Sequence, residues 1–344
     1  MSTLGRRVAE ITGLLLLGLV ILVLGLWGTM ALWYFDDANA TLRATLALVF
    51  AFVSLTALVA LWWPQMRWRV LAAFVAAFAL LLLCWSALTP TNDRNWATEV
   101  AVLPYATIEG DSITVHNIRN FNYRTETDFT PAYYDKTFNL QQLNSVDLVA
   151  VYWMGPQIAH IFLSFGFADH DQLAISIEAR KPRKDGFSTV KGFFRQYELY
   201  YVVADERDVI RLRTNYRRNP PEEVHIYRVR GQPANGRRLF LSYMDRINSL
   251  KAQPEFYNSL TTNCTTSIWM QTRVNPGHLP FSWKILISGY VPQYLYESGL
   301  LDTSVPFAQL QQSSIVNAKA QAADQAPDFS QRIRTPALIN SAQP

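Results

Sequence analysis

Long uncharged stretches near the amino terminus dominate the hydrophobic pattern. Residues 11–35, 44–66 and 70–92 contain no Asp, Glu, Lys or Arg and consist mostly of Leu, Ala, Val and aromatic residues. A helix needs about 20 such residues to cross the hydrocarbon core of a bilayer, so each run is long enough. The first run is too long for a signal peptide and lacks a small-residue cleavage motif at its end. The pattern therefore predicts three retained membrane-spanning helices within residues 1–92.

The basic residues that flank these runs predict their orientation. Arg6 and Arg7 precede the first helix, and Arg67 and Arg69 lie in the second connection, whereas residues 36–43 offer two aspartates and one arginine. Positive charge favours the cytoplasmic side, so the amino terminus is expected in the cytoplasm. Because the number of crossings is odd, the rest of the chain is expected outside the cytoplasm.

Short apolar runs rich in β-branched residues follow from residue 146 and predict strands. They cover residues 146–153, 158–167, 172–180, 198–204 and 224–229. The second and third runs are joined by the polar turn Ala-Asp-His-Asp, which predicts a hairpin. If the turn centres near Asp169 and His170, His160 lies opposite Glu178; a slip of one residue would put them on opposite faces.

Helical periodicity appears after the predicted strands. Residues 235–253 place their apolar side chains on one face and predict an amphipathic helix on the sheet. Asn263 is a good N-cap for a short buried helix that follows it. Residues 281–300 are apolar and aromatic with an internal proline, which indicates a broken helix. The charge-rich stretch 205–218 fits neither pattern.

The predicted fold class is α+β, with three amino-terminal membrane helices followed by an antiparallel sheet and packed helices. Residues 93–121 are expected to be a linker and entry, with irregular structure as far as residue 134. Residues 122–308 are expected to form one extracytoplasmic domain. Residues 309–344 are rich in Gln, Ala, Ser and Pro without an evident apolar period, which predicts a disordered tail.

Charge and composition exclude several classes of function. The net charge of +4 is a modest basic excess that suits a protein beside an anionic membrane and is too weak to indicate nucleic acid binding. The sequence contains neither a glycine-rich phosphate loop nor a metal-ligand spacing, so no cofactor and no metal are expected. The oligomeric state is left open.

Cys264 is the candidate nucleophile. Of the two cysteines, Cys84 lies in the third apolar run and is not a plausible disulfide partner for Cys264. A thiol at a helix start is favoured as thiolate by free backbone N–H groups and the helix dipole. The alternative is a small buried hydrophobic residue, which is what most free cysteines are.

His160 is the candidate base among five histidines, because a strand interior gives it a fixed position. His116 and His170 fall in an irregular segment and a turn, where solvated histidines are ordinary. His278 falls in a loop, and His225 begins a strand and is the second candidate. A structural role for His160 remains the alternative if Cys264 is not its partner.

Other residues are candidates for orienting His160 or for binding substrate. Glu178 is the candidate orienter of His160, or else a surface carboxylate paired with Arg180 or Lys181. The candidate substrate-binding residues are Asn263, Thr265, Arg180, Arg211 and Arg213. Of these, Asn263 is more simply a helix cap, Thr265 offers a backbone N–H for an oxyanion, and the arginines could meet a lipid phosphate or remain solvated.

A strand histidine followed much later by Asn-Cys at a helix start resembles the circularly permuted NlpC/P60 papain-like fold of the lecithin:retinol acyltransferase group. The segments AHIFLSFGF, AISIEARK, YELYYVVADERDVIRLRT and PEFYNSLTTNCTT are more closely similar to the Lnb N-terminal periplasmic domain, over about residues 122–273. This chain departs from Lnb enzymes in layout, because its predicted helices all precede the domain.

The resemblance implies acyl transfer, with Cys264 attacking a lipid ester and His160 as base, and a lipoprotein as acceptor. It implies a bacterial inner membrane location with the domain in the periplasm, and membrane lipid or lipoprotein as partner. Two alternatives stay open: a papain-like peptidase or amidase of the cell envelope, and a non-catalytic membrane-anchored binding module.

Overall fold

A computed structural model describes residues 3–35, 39–183 and 186–334 of the chain. The chain divides into two compact units. The first, here called the helical unit, comprises residues 1–90 and 188–196. The second, here called the sheet unit, comprises residues 91–187 and 197–344.

The helical unit is built on α1 (Thr3–Trp33), α2 (Ala40–Ala60) and α3 (Arg67–Ala87). Within the described residues, these three helices are long and apolar enough to cross a bilayer. Helices α1 and α2 approach closely at Gly28, where an added Cβ would lie 2.4 Å from a ring carbon of Phe50. Small residues at such crossings are typical of membrane helix packing.

Residues 188–196, with the short helix α4 (Thr189–Gly192), belong to the helical unit. The Phe194 ring stacks on Tyr34 with ring centroids 5.4 Å apart. Arg195 donates from Nη1 to the carbonyl oxygen of Trp85 at 2.5 Å. The segment therefore lies at the ends of α1 and α3.

The sheet unit contains one mixed sheet with strand order β1-β2-β9-β8-β7-β6-β10, in which β5 also pairs with β2. Its strands are β1 (Tyr105–Glu109), β2 (Ser112–Arg119), β5 (Tyr133–Asn139), β6 (Ser145–Tyr152), β7 (Ala159–Gly166), β8 (Gln172–Arg180), β9 (Glu198–Ala204) and β10 (Glu223–Arg228). The short strands β3 (Asn122–Tyr123) and β4 (Phe129–Thr130) pair separately. Neighbours are antiparallel except β2 and β9, which meet in parallel at Arg119 and Ala204. The strands predicted from residue 146 onward are confirmed within two residues at each end.

Helices cover both faces of this sheet. They are α5 (Glu206–Arg211), α6 (Pro233–Ala252), α7 (Cys264–Thr272), α8 (Trp283–Leu286), α9 (Val291–Glu297), α10 (Phe307–Ser313), α11 (Asn317–Ala322) and α12 (Phe329–Arg332). The side chains of β7 alternate between faces, so Ile161 packs in the core with α6 and α7 while Phe162 packs in the core with α5, α11 and α12. The predicted amphipathic helix and the broken helix are confirmed as α6 and as α8 with α9.

Two expectations about irregular segments are corrected. Residues 108–134 were expected to be irregular, but they contribute β2 and parts of β1 and β5. Strands β1 and β5 pair with β2, and β2 also pairs with β9. Residues 309–334 are ordered, because an apolar spacing of four and three residues at Val316, Ala320 and Ala323 seals the second face of the sheet. Residues 335–344 of the predicted tail lie outside the described residues.

Candidate active site

A local opening of the sheet creates the candidate site. Strands β7 and β8 pair only from Leu163–Ile175 to Gly166–Gln172, although β7 begins at Ala159 and β8 continues to Arg180. Helix α7 packs against both strands. A helix on one face of the sheet thereby reaches His160, which projects from the other face.

Helix α7 begins at Cys264 because Asn263 caps it. The Asn263 side chain accepts from the backbone N–H of Thr266 at 2.9 Å, and the Thr266 hydroxyl accepts from the N–H of Asn263 at 3.1 Å. This capping box satisfies two of the first amides. Within the described part of the chain, the amides of Cys264 and Thr265 donate to no protein acceptor. Two N–H groups at the thiol therefore remain free for an oxyanion.

The Cys264 thiol interacts directly with His160. Although burial raises the pKa of the thiol, the hydrogen bond and charge of His160 and a hydrogen bond from the Ile161 N–H lower it below its ordinary value. Cys264 is half-buried. These interactions favour a thiolate beside an imidazolium.

Ser176 and Glu178 hold the other side of the His160 ring. His160 Nε2 lies 2.6 Å from Ser176 Oγ and 3.2 Å from Glu178 Oε1. Ser176 also donates to Glu178 Oε1 at 2.8 Å. The β7–β8 register, continued beyond its last pair, sets His160 opposite Glu178. Because Nε2 is occupied by these groups, Nδ1 is the nitrogen left for the thiol.

The charges around His160 keep the ring protonated. Burial alone would lower the pKa of His160, but the Glu178 carboxylate, followed by Cys264, raises it to about 9. Burial raises the pKa of Glu178, but His160 and then Arg213 hold it well below the ordinary value. Arg213 Nη2 donates to Glu178 Oε1 at 3.1 Å.

The structure distributes the candidate substrate-binding residues differently from the sequence interpretation. Asn263 is a helix cap, and the buried Thr265 hydroxyl donates to the Ile285 carbonyl at 2.6 Å. Arg213 is buried against Glu178, and Arg211 donates to the Asp324 carbonyl at 3.0 Å. Arg180 is buried and donates to the Val100 and Ala101 carbonyls. The guanidinium groups of these three arginines are bonded within the protein and stabilise the fold, so the expected substrate role does not fit them.

The other histidines make their own local contacts. His225 is buried, with Nδ1 near Ser314 Oγ at 2.9 Å and Nε2 near Glu223 at 2.8 Å. His116 pairs with Asp135, and His170 and His278 are exposed. His160 is the histidine that interacts with Cys264.

Exposed apolar side chains lie on the segments that adjoin the site. Leu260 precedes the α7 cap, and Ile158 precedes β7. Phe281, Trp283, Leu286 and Ile287 come from the segment that Thr265 contacts through Ile285. Trp283 retains 56% of its exposure, and Phe281 retains 52%. A surface of this kind fits an apolar ligand better than a polar one.

Sequence reasoning missed Ser176 and Tyr257. Ser176 lies two residues before Glu178 on the same face of β8, a spacing that could have identified it. Burial chiefly raises the pKa of Tyr257, and the charges of Cys264 and Glu178 add to the effect. The proximity of Tyr257 to Cys264 and Glu178 depends on how the chain folds between β9 and α7, and the local sequence does not show this.

Comparison with known protein families finds a match to the part of the chain that carries the site. Residues 129–289 match the family model of the Lnb N-terminal periplasmic domain. The matched range includes His160, Ser176, Glu178 and Cys264. No curated protein and no solved structure gives a significant match to the chain. The chain is therefore a membrane-anchored protein whose residues 129–289 form an Lnb N-terminal periplasmic domain.

Proposed function

We propose that this protein is a cysteine acyltransferase that takes an acyl chain from a membrane lipid ester and transfers it, through a thioester on Cys264, to the amino terminus of a lipoprotein. The single observation that carries the proposal is the coupled Cys264–His160 pair at the capped start of α7. The family match and the membrane helices support a substrate at the bilayer surface.

The first step forms the acyl-enzyme. The Cys264 thiolate attacks the ester carbonyl carbon, and the C–S bond forms as the carbonyl electrons move onto oxygen. The free N–H groups of Cys264 and Thr265 stabilise this oxyanion, an effect worth about 10²–10³ in rate for one such donor. When the intermediate collapses, the ester C–O bond breaks and the alkoxide takes the proton of the His160 imidazolium.

The second step resolves the thioester. An amine attacks the thioester carbonyl, and neutral His160 accepts the proton that the amine loses. The C–N bond forms, the C–S bond breaks, and the thiolate beside an imidazolium is restored. Ser176 and Glu178 keep the ring oriented in both steps through their contacts with Nε2.

The orientation in the membrane is part of the proposal. The amino terminus lies in the cytoplasm and the sheet unit in the periplasm, as the basic residues that flank the helices predict. The amine acceptor is then a lipoprotein that has already crossed the inner membrane.

A test compares cells that produce the wild-type protein with cells that produce Cys264→Ser. Mass spectrometry of lipoprotein amino-terminal peptides should find an added acyl chain on the amine only with the wild type. Cleavage of cell-wall peptides instead would indicate the peptidase alternative. Identical lipoproteins and no cleavage would indicate a binding module.

A further inference from the structure

An apolar cavity of about 230 Å³ lies in the sheet unit, and its lining includes the residues that follow His160 and Cys264 in the sequence. Its wall includes Leu148, Ile161 and Leu163 of the sheet, Leu239 of α6, Ile268 of α7 and Val291 of α9. Ile161 follows His160, and its N–H donates to the thiol. Thr265, which follows Cys264, also lines the cavity. The cavity wall therefore adjoins both members of the pair along the chain.

The cavity has an apolar interior and a polar far rim. Leu148 and Leu163 keep at most 4% of their exposure. Asn144, Arg230 and His278, which also line it, are exposed. Along β6, Ala150 lies opposite Ile161 and Asn144 lies six residues earlier. At a rise of about 3.3 Å per residue, the distance from the site to this rim is about 20 Å.

The lining and its extent along β6 and β7 fit a linear hydrocarbon. A cavity of about 150 Å³ lined by aliphatic side chains accepts benzene, so by proportion this one accepts about nine carbons. Because the lining residues extend along β6 from Ser145 to Leu148 and include Ile161 and Leu163 of β7, an unbranched chain suits the cavity better than a ring. Polar side chains at the far rim allow the end of a longer chain to leave the protein.

We propose that this cavity binds the acyl chain of the donor ester and makes Cys264 selective for linear chains of about eight carbons or more. The proposal rests on the function proposed above and adds the site that recognises the donor. Each methylene that enters the cavity should raise kcat/KM by about fourfold until the cavity is filled.

Chain-length selectivity tests the proposal on the full-length protein in detergent. The ratio of kcat/KM for 4-nitrophenyl decanoate to that for 4-nitrophenyl butyrate should fall at least tenfold in Val291→Phe. Leu295→Trp, a half-buried position on the same wall, provides a second variant if the first does not fold. Val203→Phe is the matched control, because Val203 is buried in the core away from the cavity, and its ratio should equal that of the wild type.

Photo-crosslinking separates this proposal from the function on which it rests. Decanoic acid with a terminal diazirine should label peptides of α6, α7 and α9 in Cys264→Ser, which needs no turnover. Labelling only of residues 3–87, or a ratio that Val291→Phe and Leu295→Trp leave unchanged, would overturn the acyl-chain site. Labelling of the cavity in a protein that acylates no ester would retain the site and refute the proposed function.

Discussion

His160 lies between groups that both favour the charged form of its ring. The Cys264 thiol is on one side, and the Ser176 hydroxyl and Glu178 carboxylate are on the other. A buried imidazole in apolar surroundings would be neutral. The neighbouring carboxylate reverses that tendency and raises the pKa of His160 to about 9. The ring can thus supply a proton in acylation without first collecting one from solvent.

The pH dependence of thiol alkylation should reveal this coupling. In a Cys84→Ser background, Cys264 should react with iodoacetamide at pH values where an ordinary cysteine is protonated, because its pKa is lowered. His160→Ala should move the midpoint upward. Ester turnover should fall as pH rises through about 9, where His160 loses its proton. A midpoint that is the same in both proteins would contradict the ion pair.

Glu178→Gln should lower turnover, although the side chain keeps nearly the same size and shape. The neutral amide cannot raise the pKa of His160 as the carboxylate does. Each pKa unit lost lowers the ratio of charged to neutral ring about tenfold at a given pH. The upper limb of the pH profile should move below about 9. The exposed Glu109 provides the control, and Glu109→Gln should leave the profile unchanged. An unaltered profile in Glu178→Gln would exclude an orienting role.

At the scale of elements, the start of α7 and the opening between β7 and β8 make the site. The sequence predicted the first of these, because Asn263 has the chemistry of a cap, and it predicted the β7–β8 hairpin from alternation and a polar turn. It did not predict where the hairpin opens, since that depends on α7 entering from a distant part of the chain. It missed β1 and β2 for a different reason: they pair with each other and with β5, but each strand is individually weak in apolar pattern.

A buried ion pair ties β2 to the helix that follows β9. Asp208 of α5 accepts from Arg119 Nε at 3.0 Å and Nη2 at 2.7 Å, and also from the Phe121 N–H. Asp208→Ala should lower the free energy of unfolding by about 3–5 kcal/mol, because a buried guanidinium loses its partner. The exposed Arg124–Asp128 pair is the control, and Asp128→Ala should leave the unfolding midpoint nearly unchanged. Equal effects on urea unfolding would show that the buried pair has no special role.

At the scale of the whole molecule, the chain combines a helical unit with a sheet unit that carries the candidate site. The uncharged runs predicted the helices directly, because the bilayer demands apolar length. The sequence did not predict that residues 188–196 join the helical unit. In the sequence, nothing distinguishes Phe194 and Arg195 from other aromatic and basic residues. Their contacts with Tyr34 and Trp85 become evident in the structure.

Topology follows from the same residues. An alkaline phosphatase reporter fused after Asn95 should be active in the periplasm, because three crossings separate it from Arg6 and Arg7. A green fluorescent protein fusion at the amino terminus should fluoresce in the cytoplasm. A reporter that is cytoplasmic after Asn95 would reverse the orientation and place Cys264 away from periplasmic lipoproteins.

The most direct test of the account is the mass of the Cys264 peptide after the full-length protein meets a diacyl lipid ester without an amine acceptor. We expect an added mass of one acyl chain on Cys264, which hydroxylamine removes and which is absent in Cys264→Ser. An added lipopeptide amine should discharge this adduct and gain the same chain. An unmodified Cys264 in a protein that nevertheless transfers acyl chains, or no adduct and no transfer, would contradict the central claim.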